Sequence, residues 1–101
     1  MIVGDKYEFT KDNVNKAPDQ AGVYALYDGD ILIYYGRAQG GTVTIRSRLQ
    51  DHFAGRDGKC TQNATAYRRE ATTAPVAREK ALLEEYQRAN RRLPRCNERI
   101  A

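Results

Sequence analysis

The sequence predicts a small α+β domain in which a β-hairpin is followed by two amphipathic helices. The hairpin is predicted over residues 22–36, where two runs of aromatic and β-branched residues flank an Asp-Gly-Asp turn. Apolar residues then recur at helical spacing over 44–53 and again over 75–92. Because 101 residues can bury only one modest core, we expect a single domain over residues 1–101.

The length of the hairpin loop decides whether two of its tyrosines lie together. A three-residue loop over 28–30 sets Tyr24 opposite Tyr34 and Tyr27 opposite Ile31, so that the phenols of Tyr24 and Tyr34 share one face of the hairpin. A two-residue loop shifts the register by one residue and places Tyr34 on the other face. Tyrosines that only pack in a half-buried hairpin are the alternative to a functional pair.

Composition bounds the class and location of the protein. No apolar run approaches the length of a membrane span, and the first residues lack a secretory pattern, so we expect a cytoplasmic protein without membrane contact. Cys60 and Cys96 are too few for a disulfide framework and lack the CxxC spacing, which predicts free thiols. A single histidine argues against a structural zinc site.

The charge of the chain is unevenly distributed. Residues 1–36 carry three lysines and six acids, a net charge of −3, whereas residues 37–101 carry fourteen basic and seven acidic residues, a net charge of +7. All twelve arginines lie at or after position 37. Arginine suits phosphate oxygens, which indicates a surface for nucleic acid, although a solvated helical surface explains the charge equally well.

The first predicted helix carries two polar residues beside its apolar stripe. The stripe consists of residues four apart: Ile45, Leu49 and Phe53. Arg48 and His52 border this stripe, so we expect both side chains to point toward the edge of the sheet, whereas Arg46 faces solvent. A histidine in such a position is usually a packing residue, but its spacing of four from Arg48 favours a functional role.

The second predicted helix carries a carboxylate within its apolar arc. The apolar members of the arc are Val76, Leu82, Leu83, Tyr86, Ala89 and Leu93. Glu79 falls among them, while Glu85 lies at the margin of the arc. Because a carboxylate on an apolar face is costly unless it is paired or binds a metal, the pattern singles out Glu79.

Two tripeptides of the hairpin, Gly22-Val23-Tyr24 and Tyr34-Tyr35-Gly36, resemble the signature of the GIY-YIG nuclease superfamily. The resemblance extends over residues 22–97, because it includes the two helices and a closing Pro94-x-x-Asn97. It implies a small antiparallel three-stranded sheet flanked by helices, with the third strand within 61–72. The residues alone fit a helix over 64–70 nearly as well, and 54–63 is expected to be a loop.

The resemblance also implies an activity, metal-dependent endonucleolytic hydrolysis of phosphodiester bonds in DNA. Glu79 would hold one Mg²⁺ or Mn²⁺ ion; Glu85 is the alternative, because in some members the glutamate lies twelve residues before the asparagine. Arg48 would stabilise the phosphate as charge develops. Tyr24 would accept a proton from the attacking water or position it, with Tyr34 hydrogen-bonding alongside.

Two positions depart from the pattern of some members of that superfamily. Arg37 stands where lysine is common, which preserves phosphate binding but excludes a role as a base. His52 stands where others have tyrosine, and its ordinary pKa near 6.5 makes it a rival to Tyr24 as the general base. Arg37, Arg46 and Asn97 are the expected nucleic-acid contacts, and Asn97 fits a turn after Pro94 nearly as well.

The expected partner is DNA, whether single-stranded, branched or duplex, and nothing indicates an obligate protein partner. A non-catalytic nucleic-acid-binding module on the same fold is the main alternative; it would need the arginines but not Glu79. A small protein-interaction domain would need neither. The joint presence of two tyrosines, an arginine, a histidine and an inward glutamate favours the enzyme.

Overall fold

The computed structural model describes residues 1–97, which form four strands and four helices. In chain order these are β1 (Tyr7–Glu8), α1 (Lys11–Asn15), β2 (Gly22–Asp28), β3 (Ile31–Ala38), α2 (Ile45–Phe53), α3 (Lys59–Gln62), β4 (Ala66–Ala71) and α4 (Pro75–Asn90). The strands form one antiparallel sheet in the order β1-β4-β2-β3. The predicted α+β class is therefore confirmed, and the short β1 makes the sheet four-stranded instead of three-stranded.

The two long helices lie where the apolar spacing predicts them. Thr44 caps α2 and forms a reciprocal capping box with Ser47, which satisfies free N–H groups of the first turn. Proline occupies the first turn of α4, where no N–H donor is required. This helix ends at Asn90, two residues before the predicted end, because Arg91 adopts a left-handed conformation with φ of 61° and closes the helix.

Helices cover both faces of the sheet, so there are two apolar cores. The core under α1 and α2 contains Val14, Tyr24, Leu26, Ile33, Tyr34, Ile45, Leu49 and Tyr67. The core under α4 contains Ile2, Val23, Ala25, Tyr27, Tyr35 and Leu82. Only the middle of the predicted apolar arc of α4 contributes, because Val76 and Ala89 at its two ends are exposed.

The register of the hairpin differs from the registers predicted for a two-residue and for a three-residue loop. Asp28 pairs with Ile31 across a two-residue loop, so the expected pairs of a three-residue loop, Tyr24 with Tyr34 among them, are wrong. A β-bulge then leaves Ile33 without a direct partner, and Leu26 pairs with Tyr34. The bulge restores the alternation, so Tyr34 lies on the same face as Tyr24 after all.

The chain after α4 returns along the free edge of β3. The Cys96 N–H donates to the Ile33 carbonyl at 2.8 Å, and Asn97 exchanges two hydrogen bonds with the Tyr35 backbone. Cys96 is also joined to Cys60 by a disulfide, with the two Cα atoms 5.7 Å apart. The expectation of free thiols is therefore wrong: the pairing of distant segments, which sequence spacing does not reveal, brings the two cysteines together.

In the middle of the chain one expectation changes, and the third strand expected within 61–72 is confirmed. The segment 54–63, expected to be a loop, contains the short helix α3. The segment 66–71 is a strand and not a helix, because it pairs with both β1 and β2. Among residues 1–97, none of the helices has the length and apolar character needed to cross a bilayer.

The disulfide gives the first testable prediction. Replacing Cys60 and Cys96 together by serine should lower the free energy of unfolding by about 3–4 kcal/mol, because the bond restricts the unfolded chain between residues 36 positions apart. Equilibrium urea unfolding of both proteins, each with and without dithiothreitol, measures the loss.

The double serine variant also serves as the control for the reductant. Dithiothreitol should move the midpoint of the native protein toward that of the variant and leave the variant itself unchanged. Alkylation of both cysteines of the native, unreduced protein by iodoacetamide would show that the bond is absent.

Candidate active site

The edge strand β3 brings side chains from both faces of the sheet to one place. Tyr34 lies on the α2 face with Tyr24, as both belong to the core beneath that helix. Arg37 is paired directly with Val23 and therefore lies on the α4 face. Because β3 is the last strand in the order β1-β4-β2-β3 of residues 1–97, groups from both helical layers meet along its edge.

An open cleft with a volume of about 510 Å³ lies along this edge. It is lined by Tyr34, Arg37, Gln39, Val43, Arg48, Glu79, Leu83, Leu93 and Asn97. The structure thus brings together five predicted site residues from β3, α2, α4 and the returning segment. We call this space the β3 cleft.

Glu79 is the carboxylate of the β3 cleft. Its side chain is 16% exposed, and its Oε1 accepts a hydrogen bond from Arg37 Nη1 at 2.7 Å. Glu85, the alternative metal ligand, is 54% exposed and pairs with the N-terminal ammonium of Met1 instead. Of the two glutamates, therefore, only Glu79 reaches the cleft.

A second cleft, of about 540 Å³, continues past Tyr34 and Arg48 toward α3. Its lining includes His52, Asp57, Lys59, Thr61 and the Cys60–Cys96 disulfide. We call it the α3 cleft. Arg48 lies where the two clefts meet, and its Nη1 is 3.1 Å from carboxylate oxygens of both Asp51 and Asp57. Two carboxylates thus fix the position of its guanidinium.

Tyr24 and His52 form a buried pair behind Tyr34. Their exposed fractions are 0% and 1%, and Tyr24 Oη lies 2.8 Å from His52 Nε2. The ring of Tyr34 packs edge-on against His52, with the centroids 5.0 Å apart. A Cβ atom at Gly36 would lie only 2.4 Å from Tyr24 Oη, so the pair requires glycine at that position.

Burial determines the protonation of this pair. It raises the pKa of the Tyr24 and Tyr34 phenols and lowers the pKa of His52 to about 4. All three rings are therefore neutral at neutral pH. Tyr34 is the phenol that lines both clefts. Of the two residues considered as general base, His52 belongs to the lining of the α3 cleft although its side chain is almost fully buried, whereas Tyr24 lines neither cleft.

The other two predicted nucleic-acid contacts have structural partners. Arg46 does not simply face solvent: it is half-buried, and its Nε donates to the Ala17 carbonyl at 2.8 Å. Asn97 lines the β3 cleft, but both ends of its amide are hydrogen-bonded to the Tyr35 backbone. Arg46 therefore holds the entry segment on α2, and Asn97 holds the returning segment on β3.

The donor set of the β3 cleft bears on the expected divalent ion. Among residues 1–97, no three histidine, cysteine, aspartate or glutamate side chains are grouped so that they could hold a metal. Glu79 would be the single carboxylate ligand of an ion in the cleft, with water and phosphate oxygens as the others. A shell of this kind is compatible with Mg²⁺, which keeps several waters and uses few protein ligands.

Comparison with known proteins places the chain in a family. A family model matches residues 6–89, more than four-fifths of the sequence. The chain belongs to the family described as a domain of unknown function, DUF7508. No curated protein and no solved structure matches it. The matched DUF7508 segment includes β3, α2 and all but the last residue of α4, and these elements carry most of the lining of the β3 cleft.

Three polar residues of this DUF7508 site escaped the sequence interpretation. Asp51 follows Arg48 by three positions on a helix, a spacing that could have indicated their ion pair. Asp57 and Thr61 carry no such signal, because they lie in and after a loop whose path is set by glycines. Thr61 Oγ1 lies 2.8 Å from His52 Nδ1.

The buried histidine predicts how the stability of the DUF7508 domain depends on pH. Since the pKa of His52 is about 4 in the folded protein and about 6.5 in the unfolded chain, the unfolded state binds the proton first and stability falls as pH drops. Between pH 7.5 and pH 5 this contribution is about 2 kcal/mol. Urea unfolding at the two pH values measures it.

A His52→Gln variant is the matched control, because it keeps a polar side chain but does not titrate in that range. Its free energy of unfolding should fall by about 2 kcal/mol less than that of the native protein between the same two pH values. Equal falls in the two proteins would mean that His52 titrates as it does in the unfolded chain.

Proposed function

We propose that this protein is a metal-dependent endonuclease that hydrolyses phosphodiester bonds in DNA. The observation that carries the proposal is the convergence of Glu79, Arg37, Arg48 and Tyr34 on the β3 cleft. Phosphodiester hydrolysis needs an activated water, positive charge on the phosphate and help for the leaving alkoxide. A carboxylate that can hold a metal, two guanidinium groups and a phenol can supply these functions. The match of the hairpin to the GIY-YIG signature supports the same chemistry.

The two arginines are assigned to the scissile phosphate. Arg37 is 39% exposed and Arg48 is 25% exposed at the side chain, so both reach a ligand without rearrangement of the backbone. The planar guanidinium fork matches two phosphate oxygens at once. Arg48 is held by Asp51 and Asp57, which favours a donor that is already oriented when charge develops in the transition state.

The phenols are assigned to the attacking water. Tyr34 lies at the junction of the two clefts and is the aromatic hydroxyl in position to hold a water molecule near the phosphate. Tyr24 and His52 pack against its ring and are hydrogen-bonded to each other, and they are the candidate acceptors of the proton from that water. This assignment keeps both candidate bases in the mechanism, with His52 in the lining of the α3 cleft and Tyr24 buried.

Glu79 is assigned to the divalent ion. Bound there, Mg²⁺ or Mn²⁺ would supply positive charge to the non-bridging phosphate oxygens and to the leaving alkoxide. Glu79 would contribute the ligand oxygen, and Arg37 would exchange its contact with Glu79 for one with the phosphate. The Glu79 side chain is 16% exposed and lines the same cleft as Tyr34, Leu83 and Leu93.

One observation favours a second candidate, a non-catalytic nucleic-acid-binding module. The ion pair of Glu79 and Arg37, 2.7 Å long, satisfies the carboxylate without any metal. In such a module Glu79 would only hold Arg37 in place. Binding of DNA that is equally strong with a divalent ion and with a chelator, without cleavage, is the result that distinguishes the module from the enzyme.

The Glu79→Gln variant tests the enzyme directly. Cleavage should fall by about 100-fold or more, because the amide binds a divalent ion poorly, while DNA binding is retained. The assay uses labelled single-stranded, duplex and branched DNA with Mg²⁺, with Mn²⁺ and with a chelator. Gel shifts in the presence of Ca²⁺ measure binding separately from turnover.

Glu85→Gln is the matched control on the same helix. Its carboxylate contacts the N-terminus and not the cleft, so cleavage should be unchanged. Loss of cleavage in Glu85→Gln but not in Glu79→Gln would reassign the metal ligand to the second glutamate. A native protein that binds each DNA without cleaving it would support the binding module instead.

Arg48→Lys should reduce cleavage by about 100-fold, since lysine keeps the charge but cannot make two parallel hydrogen bonds to the phosphate. The rate at saturating DNA measures this loss. Arg56→Lys is the control, because Arg56 also pairs with Asp51 but lines neither of the two clefts. Equal rates in the Arg48 variant and the native protein would remove Arg48 from the mechanism.

A further inference from the structure

Both ring nitrogens of His52 have polar neighbours, and one of these neighbours, Asp57, also holds Arg48. Its Nε2 lies 2.8 Å from Tyr24 Oη, and its Nδ1 lies 2.8 Å from Thr61 Oγ1 and 3.6 Å from Asp57 Oδ2. The same Oδ2 is 3.1 Å from Arg48 Nη1. Asp57 therefore touches both the arginine at the junction of the clefts and the buried histidine.

The loop that carries Asp57 has a defined shape. Gly55 and Gly58 flank the residue with φ of 80° and 99°, conformations that favour glycine. The Arg56 N–H donates to the Asp51 carbonyl, and the Gly58 N–H donates to the Gly55 carbonyl. These contacts fold the loop back on the end of α2, so that Asp57 is directed at the side chains of that helix.

A neutral imidazole carries one ring proton, and the neighbours of His52 decide which nitrogen holds it. The hydroxyls of Tyr24 and Thr61 can each donate or accept, so they suit either tautomer. The Asp57 carboxylate can only accept, and it lies on the Nδ1 side of the ring. Its negative charge favours the tautomer in which Nδ1 carries the proton.

This tautomer sets the direction of the contacts around the ring. With the proton on Nδ1, Nε2 accepts from the Tyr24 hydroxyl, and the lone pairs of that oxygen are free for a donor. The positive charge of Arg48 acts on this oxygen: burial raises the pKa of Tyr24, and the nearby guanidinium opposes the rise. In the other tautomer the Nε2–H group of His52 would donate to the Tyr24 oxygen. The hydroxyl proton of Tyr24 would then point away from His52, toward the N–H groups of Arg48, which is unfavourable.

We propose that Asp57 is a positioning residue of the site, which holds Arg48 by an ion pair and fixes the Nδ1-protonated tautomer of His52. It acts through these two residues and does not touch substrate. The expected effect on cleavage rests on the proposed nuclease function, but the effect on the tautomer does not. The two can therefore be tested separately.

The tautomer is measurable because His52 is the only histidine in the chain. Long-range ¹H–¹⁵N correlation spectra at pH 7.5 distinguish a protonated ring nitrogen from an unprotonated one. The native protein should have the proton on Nδ1. In Asp57→Asn, which removes the charge at nearly constant shape, the proton should move wholly or partly to Nε2, whereas Asp57→Glu should keep the native pattern.

Two variants separate Asp57 from its neighbours. Asp51→Asn also loses an ion pair with Arg48 but does not contact His52, so its imidazole pattern should be native. Thr61→Val removes the other Nδ1 partner and should keep the proton on Nδ1. A native protein protonated on Nε2, or a native pattern in Asp57→Asn, would overturn the proposal, as would a shift in Thr61→Val alone.

Cleavage assays supply the second measurement. Asp57→Asn should reduce the rate by about 10- to 100-fold, as the loss of a histidine's second partner commonly does, and Asp57→Glu should restore most of it. A native rate in Asp57→Asn, despite an altered tautomer, would overturn the link to Arg48. If the native protein cleaves no DNA, the proposed function fails, while the imidazole spectra still decide the role of Asp57.

Discussion

The bulge at Ile33 is the constraint on which the candidate active site depends. With a two-residue loop and strict alternation, Tyr34 would lie on the α4 face, apart from Tyr24 and His52. The extra residue moves Tyr34 to the α2 face and, by the same shift in register, moves Arg37 to the α4 face, where it pairs with Val23. The Ile33 carbonyl accepts a hydrogen bond from Cys96, so the same irregularity also receives the returning chain on the sheet edge.

Around this edge, charge is arranged by depth. The deepest groups are the neutral rings of Tyr24 and His52, because a buried charge without a partner would be costly. Arg48 lies in the next layer, partly exposed and held by two carboxylates. Arg37 is the most exposed of the three charged groups, at 39%, whereas its partner Glu79 is 16% exposed. The guanidinium that would exchange its partner for a ligand therefore lies outermost, and solvent reduces the cost of that exchange.

Sequence reasoning was sufficient where a side chain's direction follows from local periodicity. The 3.6-residue period places Arg48 and His52 beside the α2 stripe and Glu79 within the α4 arc, and the structure has them there. Features that depend on tertiary packing or on glycine conformations could not be predicted from the sequence. These features are the bulge, the disulfide and the position of Asp57. Helix α3 was likewise missed because four residues are too few for a period.

The ion pair of Arg37 and Glu79 is compatible with a site that binds a phosphodiester, because the pair can separate when the ligand binds. Partly exposed pairs contribute about 1 kcal/mol or less, so a phosphate can displace the carboxylate from Arg37 at small cost. Glu79 would then carry an unbalanced negative charge beside a second anion, which is unfavourable unless a cation joins it. Binding of a phosphodiester at Arg37 and binding of a divalent ion at Glu79 should consequently favour each other.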